Sequence, residues 1–208
     1  TEGVPIRLTG QDTERGTFSQ RHLVLHDEKT GLRYAPIQNL RDAEAPFQIY
    51  NSPLSEVGCL GFEYGYSAAA PDSLICWEAQ FGDFGNVPQV IIDNFVASGE
   101  SKWGQVSRLT LLLPHGYEGA GPEHSSARIE RFIQLGAEGN IRIAYPSNAA
   151  QYFHLLRRQA KIQKAKPLVV FTPKGNLRAE AATSTLEDLA EGTFQLVIDD
   201  PDAESNRS

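Results

Sequence analysis

The sequence predicts a doubly wound α/β domain, a mainly parallel sheet with helices on both faces. Three observations carry this. Short aliphatic or β-branched runs of strand length recur at residues 6–9, 73–77, 109–113, 141–144, 168–171 and 193–198. Longer stretches with apolar residues near helical spacing lie between them, at 55–69, 88–95, 125–135 and 149–162. Runs such as Leu111-Leu112-Leu113 and Val169-Val170-Phe171 are apolar throughout, as strands buried on both faces are.

The elements follow in order. The first strand, 6–9, opens an excursion over 13–47 that is polar and turn-rich, with only Leu23-Val24-Leu25 as an apolar run. Long irregular excursions in compact domains are commonly functional. Ser52-Pro53 places a proline where a first helical position is expected, so the helix over 55–69 is given an early start. Gly136 and Gly139 end the helix over 125–135. After Thr172-Pro173-Lys174-Gly175 the composition turns to Ala, Glu and Thr, followed by one last strand-like run. Residues 1–175 are therefore expected to form the domain, and 176–208 a connector toward a further domain.

A chain of 208 residues with 40% apolar and 22% charged residues is long enough to bury a sizeable core and does not have the composition of a disordered or fibrous protein. Its net charge of −7 argues against nucleic acid and against anionic membrane surfaces, both of which demand a basic footprint. No apolar run reaches the roughly 18 residues of a membrane span. Two cysteines, Cys59 and Cys76, make no disulfide scaffold, and a reducing compartment is expected. The chain opens Thr1-Glu2-Gly3 and holds no methionine, so a processed, truncated or excised product is expected.

Nucleotide and hydrolase signatures are missing: there is no phosphate-binding P-loop, no G-x-G-x-x-G after a strand, no H-E-x-x-H or C-x-x-C, and no G-x-S-x-G. Gly116-Tyr117-Glu118-Gly119-Ala120-Gly121 follows a strand with spacing unlike the dinucleotide fingerprint and reads as a loop. That loop still falls at a strand's carboxyl end, where open α/β sheets bind ligands. Three segments place polar or aromatic groups directly after strands. Tyr50 to Glu56 puts an acid in the first turn of a helix, where it also simply complements the helix dipole. Trp77 to Phe84 runs a strand into an aromatic, glycine-broken turn, which is equally a packed core element. Pro122-Glu123-His124-Ser125-Ser126 leads into a helix with a histidine that is either a cap or a working group.

Taken together and in order, these words are specific. They are Thr9-Gly10-Gln11-Asp12, Arg15 through His22, Asn51 through Glu56, Leu60-Gly61-Phe62-Glu63-Tyr64-Gly65, Trp77 through Phe84, Leu113-Pro114-His115-Gly116, Gly121 through Ser126, Phe153 through Gln159, and Phe171-Thr172-Pro173-Lys174. The chain resembles, from residue 3 to about 198, the pyrimidine-binding domain of thiamin-diphosphate enzymes, and in particular the decarboxylating component of 2-oxoglutarate dehydrogenase complexes.

The resemblance implies that Glu56 faces N1′ of the aminopyrimidine of thiamin diphosphate. A carboxyl sharing a proton there favours the imino form, whose N4′ can take the proton from thiazolium C2. Such chemistry asks for a dry site and a carboxyl with a raised pKa, which burial at the sheet's edge is expected to supply. Phe84 matches the aromatic stacked on the aminopyrimidine, with Leu54 and Phe81 beside it in the cofactor set. His124 matches the active-site histidine, and His22 lies in a family Ser-His-Arg-His segment that here reads Ser19-Gln20-Arg21-His22. Any role of the family's first histidine there is open for this chain.

The Mg²⁺ that the family uses is held on a G-D-G segment and paired asparagines, neither of which is in this sequence, so no metal ligand is assigned to it. The resemblance thus implies half a site, completed by the diphosphate-binding domain of the same enzyme and a second subunit of a homodimer. A lipoyl-bearing acyltransferase component is the implied acceptor partner. The implied reaction is oxidative decarboxylation of 2-oxoglutarate, with 2-oxoadipate dehydrogenase, 2-oxoglutarate decarboxylase or a non-catalytic interface fragment as alternatives. The location implied is cytoplasmic in a bacterium and the mitochondrial matrix in a eukaryote.

Overall fold

The computed structural model describes residues 2–118 and 124–199. Its centre is a six-stranded sheet built from β1 (Ile6–Gly10), β4 (Phe47–Asn51), β5 (Leu74–Glu78), β6 (Thr110–His115), β7 (Arg142–Ala144) and β8 (Leu168–Pro173). The order is β4-β1-β5-β6-β8-β7, and every pairing is parallel. A small antiparallel pair, β2 (Leu25–His26) and β3 (Arg33–Tyr34), sits within the excursion expected over 13–47. The excursion is tied down by Val24 and Ala35, which are buried against the sheet.

Strand side chains alternate between two cores, as the period of two requires. On one face Ile75, Trp77, Leu111, Leu113, Val169 and Phe171 meet α1 (Glu56–Ala69) through Cys59, Leu60 and Tyr64. Next along the chain α2 (Gln89–Ile91) widens directly into a π turn, Ile92–Val96, and α3 (Gly99–Trp103) follows. The same core takes Ile92 and Val96 from that turn and Phe132 from α4 (Ile129–Leu135). On the other face Leu8, Ile49, Cys76, Leu112 and Val170 pack with Leu155 of α5 (Ala149–Lys161). Beside α5 this face carries an open groove of about 920 Å³, lined by Ile6, Leu8, Phe47, Leu74 and Leu156 among others. Helices therefore cover both faces, as doubly wound packing demands.

Several expected boundaries shift. Pro53 lies outside α1, which starts at Glu56 after the extended Ser55. The helix expected over 88–95 is broken by the π turn, marked by the Ala97 amide donating to the Ile92 carbonyl at 2.8 Å. The helix expected from 125 begins only at Ile129, because Arg128 adopts a left-handed φ of 58°. Residues 193–198 form no strand, and Leu196 and Val197 are exposed. A β-prone run needs a ladder partner, and these residues pair with no strand of the sheet. The connector instead carries α6 (Leu186–Ala190), closed by a capping box between Thr185 and Asp188. The strand β4 and the helix α3 were not among the expected elements.

Candidate active site

Register sets the geometry of the sheet's carboxyl edge. Asn51, Gly10 and Glu78 stand in one row, since Gly10 is opposite both neighbours. Glu78 pairs with Leu112, so β6 runs three residues beyond β5 and ends with His115 opposite Pro173. All the chemistry-bearing segments leave from this edge.

Glu56 follows β4. The Ser52 amide donates to the Gly10 carbonyl at 2.7 Å and the Glu14 amide to Asn51 Oδ1 at 3.0 Å, which fixes the turn between β4 and α1. Helix α1 is anchored from below by Arg7, whose guanidinium donates to both oxygens of buried Glu63 at 2.8 and 3.0 Å. Glu56 thus enters on the first turn of a rigid helix, where the helix dipole favours its charge. It is half-buried here, so the full burial expected of it is not provided by the described residues. Leu54 is exposed nearby, and its carbonyl accepts from Gln11 Nε2 at 3.3 Å.

The turn after β5 supplies the aromatics. Phe81 and Phe84 meet edge to face at 5.4 Å, and Phe18 from the excursion stands perpendicular to Phe81 at 5.6 Å. Gly82 allows the turn to press against β6, because a Cβ there would overlap the Ala127 methyl and the Pro114 carbonyl oxygen. Buried Asp83 accepts from Arg128 Nε at 3.1 Å.

His124 completes this wall. Its ring stacks on Phe81, centroids 4.0 Å apart and planes 16° apart, and stands edge-on to Phe84 at 5.8 Å. The backbone following it is held by His115 Nδ1, which accepts from the Ala127 amide at 3.0 Å. That contact assigns the neutral His115 its proton on Nε2. Burial, followed by the charge of Lys174, holds the His115 imidazole below its usual pKa. The expected site residues are therefore partly gathered: Phe81, Phe84 and His124 form one cluster, with Glu56 and Leu54 along the same edge. His22 is not part of it. That residue is exposed, at a φ of 44°, and its ring makes none of the cluster's aromatic contacts. Of the loop at 116–121 and the segment 122–126, residues 119–123 lie outside the described residues.

Sequence reasoning did not single out three participants. Phe18 reaches the wall from the excursion. Arg21 donates to both carboxylate oxygens of buried Glu78 at 2.8 and 2.6 Å, which closes the excursion over β5. Lys174, buried at the end of β8, donates to the His124 carbonyl at 2.6 Å. Each lies inside a word that carried the resemblance, but only the fold supplies the partner. Both cysteines are buried and free, and burial pushes the Cys76 thiol up to about 12. Among the described residues no group of three His, Cys, Asp or Glu side chains is placed to hold a metal ion, and no helix is long and apolar enough to cross a membrane.

The family model for the transketolase pyrimidine-binding domain matches residues 1–180. The chain is a transketolase-type pyrimidine-binding domain. This pyrimidine domain is also similar to longer proteins named 2-oxoglutarate dehydrogenase E1 component. It is 57% identical over 209 residues to that of Geobacillus sp. (strain WCH70), covering 99% of this chain and 22% of the relative. Against the Bacillus subtilis (strain 168) protein the identity is 56% over 201 residues, or 95% and 21% of the two chains. For Cupriavidus necator it is 57% over 204 residues, or 96% and 22%. The pyrimidine domain spans about a fifth of the length of these relatives.

Proposed function

We propose that this domain supplies the aminopyrimidine side of a thiamin-diphosphate site in a 2-oxoacid dehydrogenase of the 2-oxoglutarate type. The observation that supports it most is the gathering of a carboxylate, an aromatic wall and an imidazole, from the ends of β4, β5 and β6, on one sheet edge. A flat, nitrogen-bearing aromatic ring is what such a donor set suits. Bound thiamin diphosphate supplies the electron sink for loss of CO₂ from the 2-oxoacid. Glu56 holds or moves a proton at N1′ of the pyrimidine. Phe84, with Phe81 and Leu54, supplies apolar surface that orients the ring and excludes water. His124 meets the substrate or its adduct and offers its imidazole to hold or hand over a proton. His22 stays a candidate that requires a partner surface to bring it in, since it is exposed and makes none of the cluster's ring contacts.

Half-burial of Glu56 supports the further proposal that the site is closed from outside this chain. A diphosphate-binding domain and a second subunit would bury the carboxylate and carry the Mg²⁺ ligands. Residues 176–208 are proposed to lead toward a further domain, consistent with a family match that ends at residue 180. A lipoyl-bearing component as acyl acceptor and a cytoplasmic location belong to the same reading.

The decisive experiment is Glu56→Gln in the full-length enzyme. Exchange of the C2 proton of bound cofactor and 2-oxoglutarate turnover should both fall by about 10² to 10⁴. Near-normal C2 exchange sinks the assignment. The melting temperature should hold, since a dipole contact at a helix N-terminus contributes only about 0.3–1 kcal/mol.

A further inference from the structure

We propose that Lys174 is a positioning residue for His124. It rests on the reading of His124 as a group that meets substrate, and deepens it. Lys174 directly follows β8, four residues beyond the level at which β5 stops, and is only 8% exposed. Lysine is rarely buried to that extent unless its ammonium is given partners, because desolvating the charge is costly. Here the ammonium donates to the main-chain carbonyl of His124 at 2.6 Å. The contact spans 50 residues of sequence and joins β8 to the segment that leaves β6.

The surrounding bonds show that this is a built junction. The Lys174 amide donates to the His115 carbonyl at 3.0 Å, and the next amide, Gly175, donates to Glu118 Oε1 at 2.6 Å. Gly116 in turn donates to the Ser125 carbonyl at 3.0 Å, and His115 Nδ1 accepts from Ala127. The Lys174-Gly175 turn therefore grips the chain both before and after residues 119–123. Stacking on Phe81 sets the plane of the His124 ring. Its position along that face is set by the backbone that carries the ring. A charged donor on the His124 carbonyl fixes it, and hydrogen bonds to charged groups are the stronger kind.

The test uses full-length enzyme with thiamin diphosphate and Mg²⁺, comparing Lys174→Met, His124→Ala and the double variant. Methionine keeps the apolar stem and deletes the ammonium. Lys174→Met should lower kcat on 2-oxoglutarate about tenfold or more, the loss expected when one charged hydrogen bond goes. Hydrogen exchange at the amides of 124–127 should speed up by a similar factor while α1 and α5 keep their protection. In the His124→Ala background the same substitution should cost no further turnover. Unchanged exchange at 124–127 overturns the proposal. So does faster exchange throughout the domain, which makes Lys174 a general stabiliser, or an equal turnover loss in both backgrounds. A His124→Ala enzyme with wild-type turnover removes the underlying reading instead, and the exchange rates still report whether Lys174 anchors the segment.

Discussion

The imidazole of His124 lies flat on the ring of Phe81, 4.0 Å between centroids and 16° between planes, although 43 positions separate them in the chain. One side of Phe81 is thereby covered, and Phe84 meets both rings edge-on. Pairs of this kind contribute about 0.5–1.5 kcal/mol beyond the area they bury.

Deleting either partner should separate positioning from folding. In the full-length enzyme His124→Ala is expected to melt within a few degrees of wild type and to lose decarboxylation or acyl transfer. Phe81→Leu, which keeps apolar volume but not the ring face, should lower the same rates less than His124→Ala does. Single-turnover assays and thermal melts check both. A destabilised but catalytically normal His124→Ala protein would remove His124 from the site and leave it a structural histidine, with a loss of roughly 1–3 kcal/mol.

The 208-residue chain by itself should bind thiamin diphosphate weakly or not at all. Glu56 is half-buried and Leu54 exposed along this edge, so the described residues supply one wall of an enclosed site. Calorimetry with cofactor and Mg²⁺ measures this. Tight, Mg²⁺-dependent binding would show that the chain holds the other half of the site.

Gly82→Ala should destabilise the domain by about 1–3 kcal/mol, because the added methyl has to displace Ala127 or the Pro114 backbone. Since those atoms underlie both the aromatic turn and the segment after His124, activity should fall together with stability. Denaturant unfolding of the variant gives the magnitude. An unchanged midpoint would show that the β5 turn and the Ala127 segment are not in close contact.

His115 gives the stability a pH dependence of definite sign. Its pKa is lowered in the fold, by burial first and Lys174 second, relative to an unfolded value near 6.5. Between that value and the lower folded one the unfolded chain binds more protons, so stability falls as pH drops through this window and is regained above it. His115→Gln should flatten the dependence of melting temperature on pH below about 6.5 relative to wild type. Parallel curves for the two proteins would mean that His115 titrates alike in both states.

Run length in the sequence was enough to define five of the six strands of the parallel sheet and most of its helices, because burial on both faces leaves strands such as β6 and β8 as nearly continuous apolar runs. The aromatic and acidic words after the strands were legible too, and through them the resemblance named Glu56, Phe84 and His124. Run length alone misplaced 193–198: β-propensity is local, whereas a strand exists only where another strand offers a ladder. The same words did not separate His22, which is exposed, from Arg21 beside it, whose guanidinium is engaged by Glu78. What tertiary structure alone decided is partnership across the sheet: His124 on Phe81, Arg21 on Glu78, Lys174 under the carbonyl of His124. These contacts join segments 43 to 57 residues apart, and they follow from strand order and register, which fix which strand ends stand side by side. A sequence records which side chains are available, and the parallel sheet's carboxyl edge determines which of them meet.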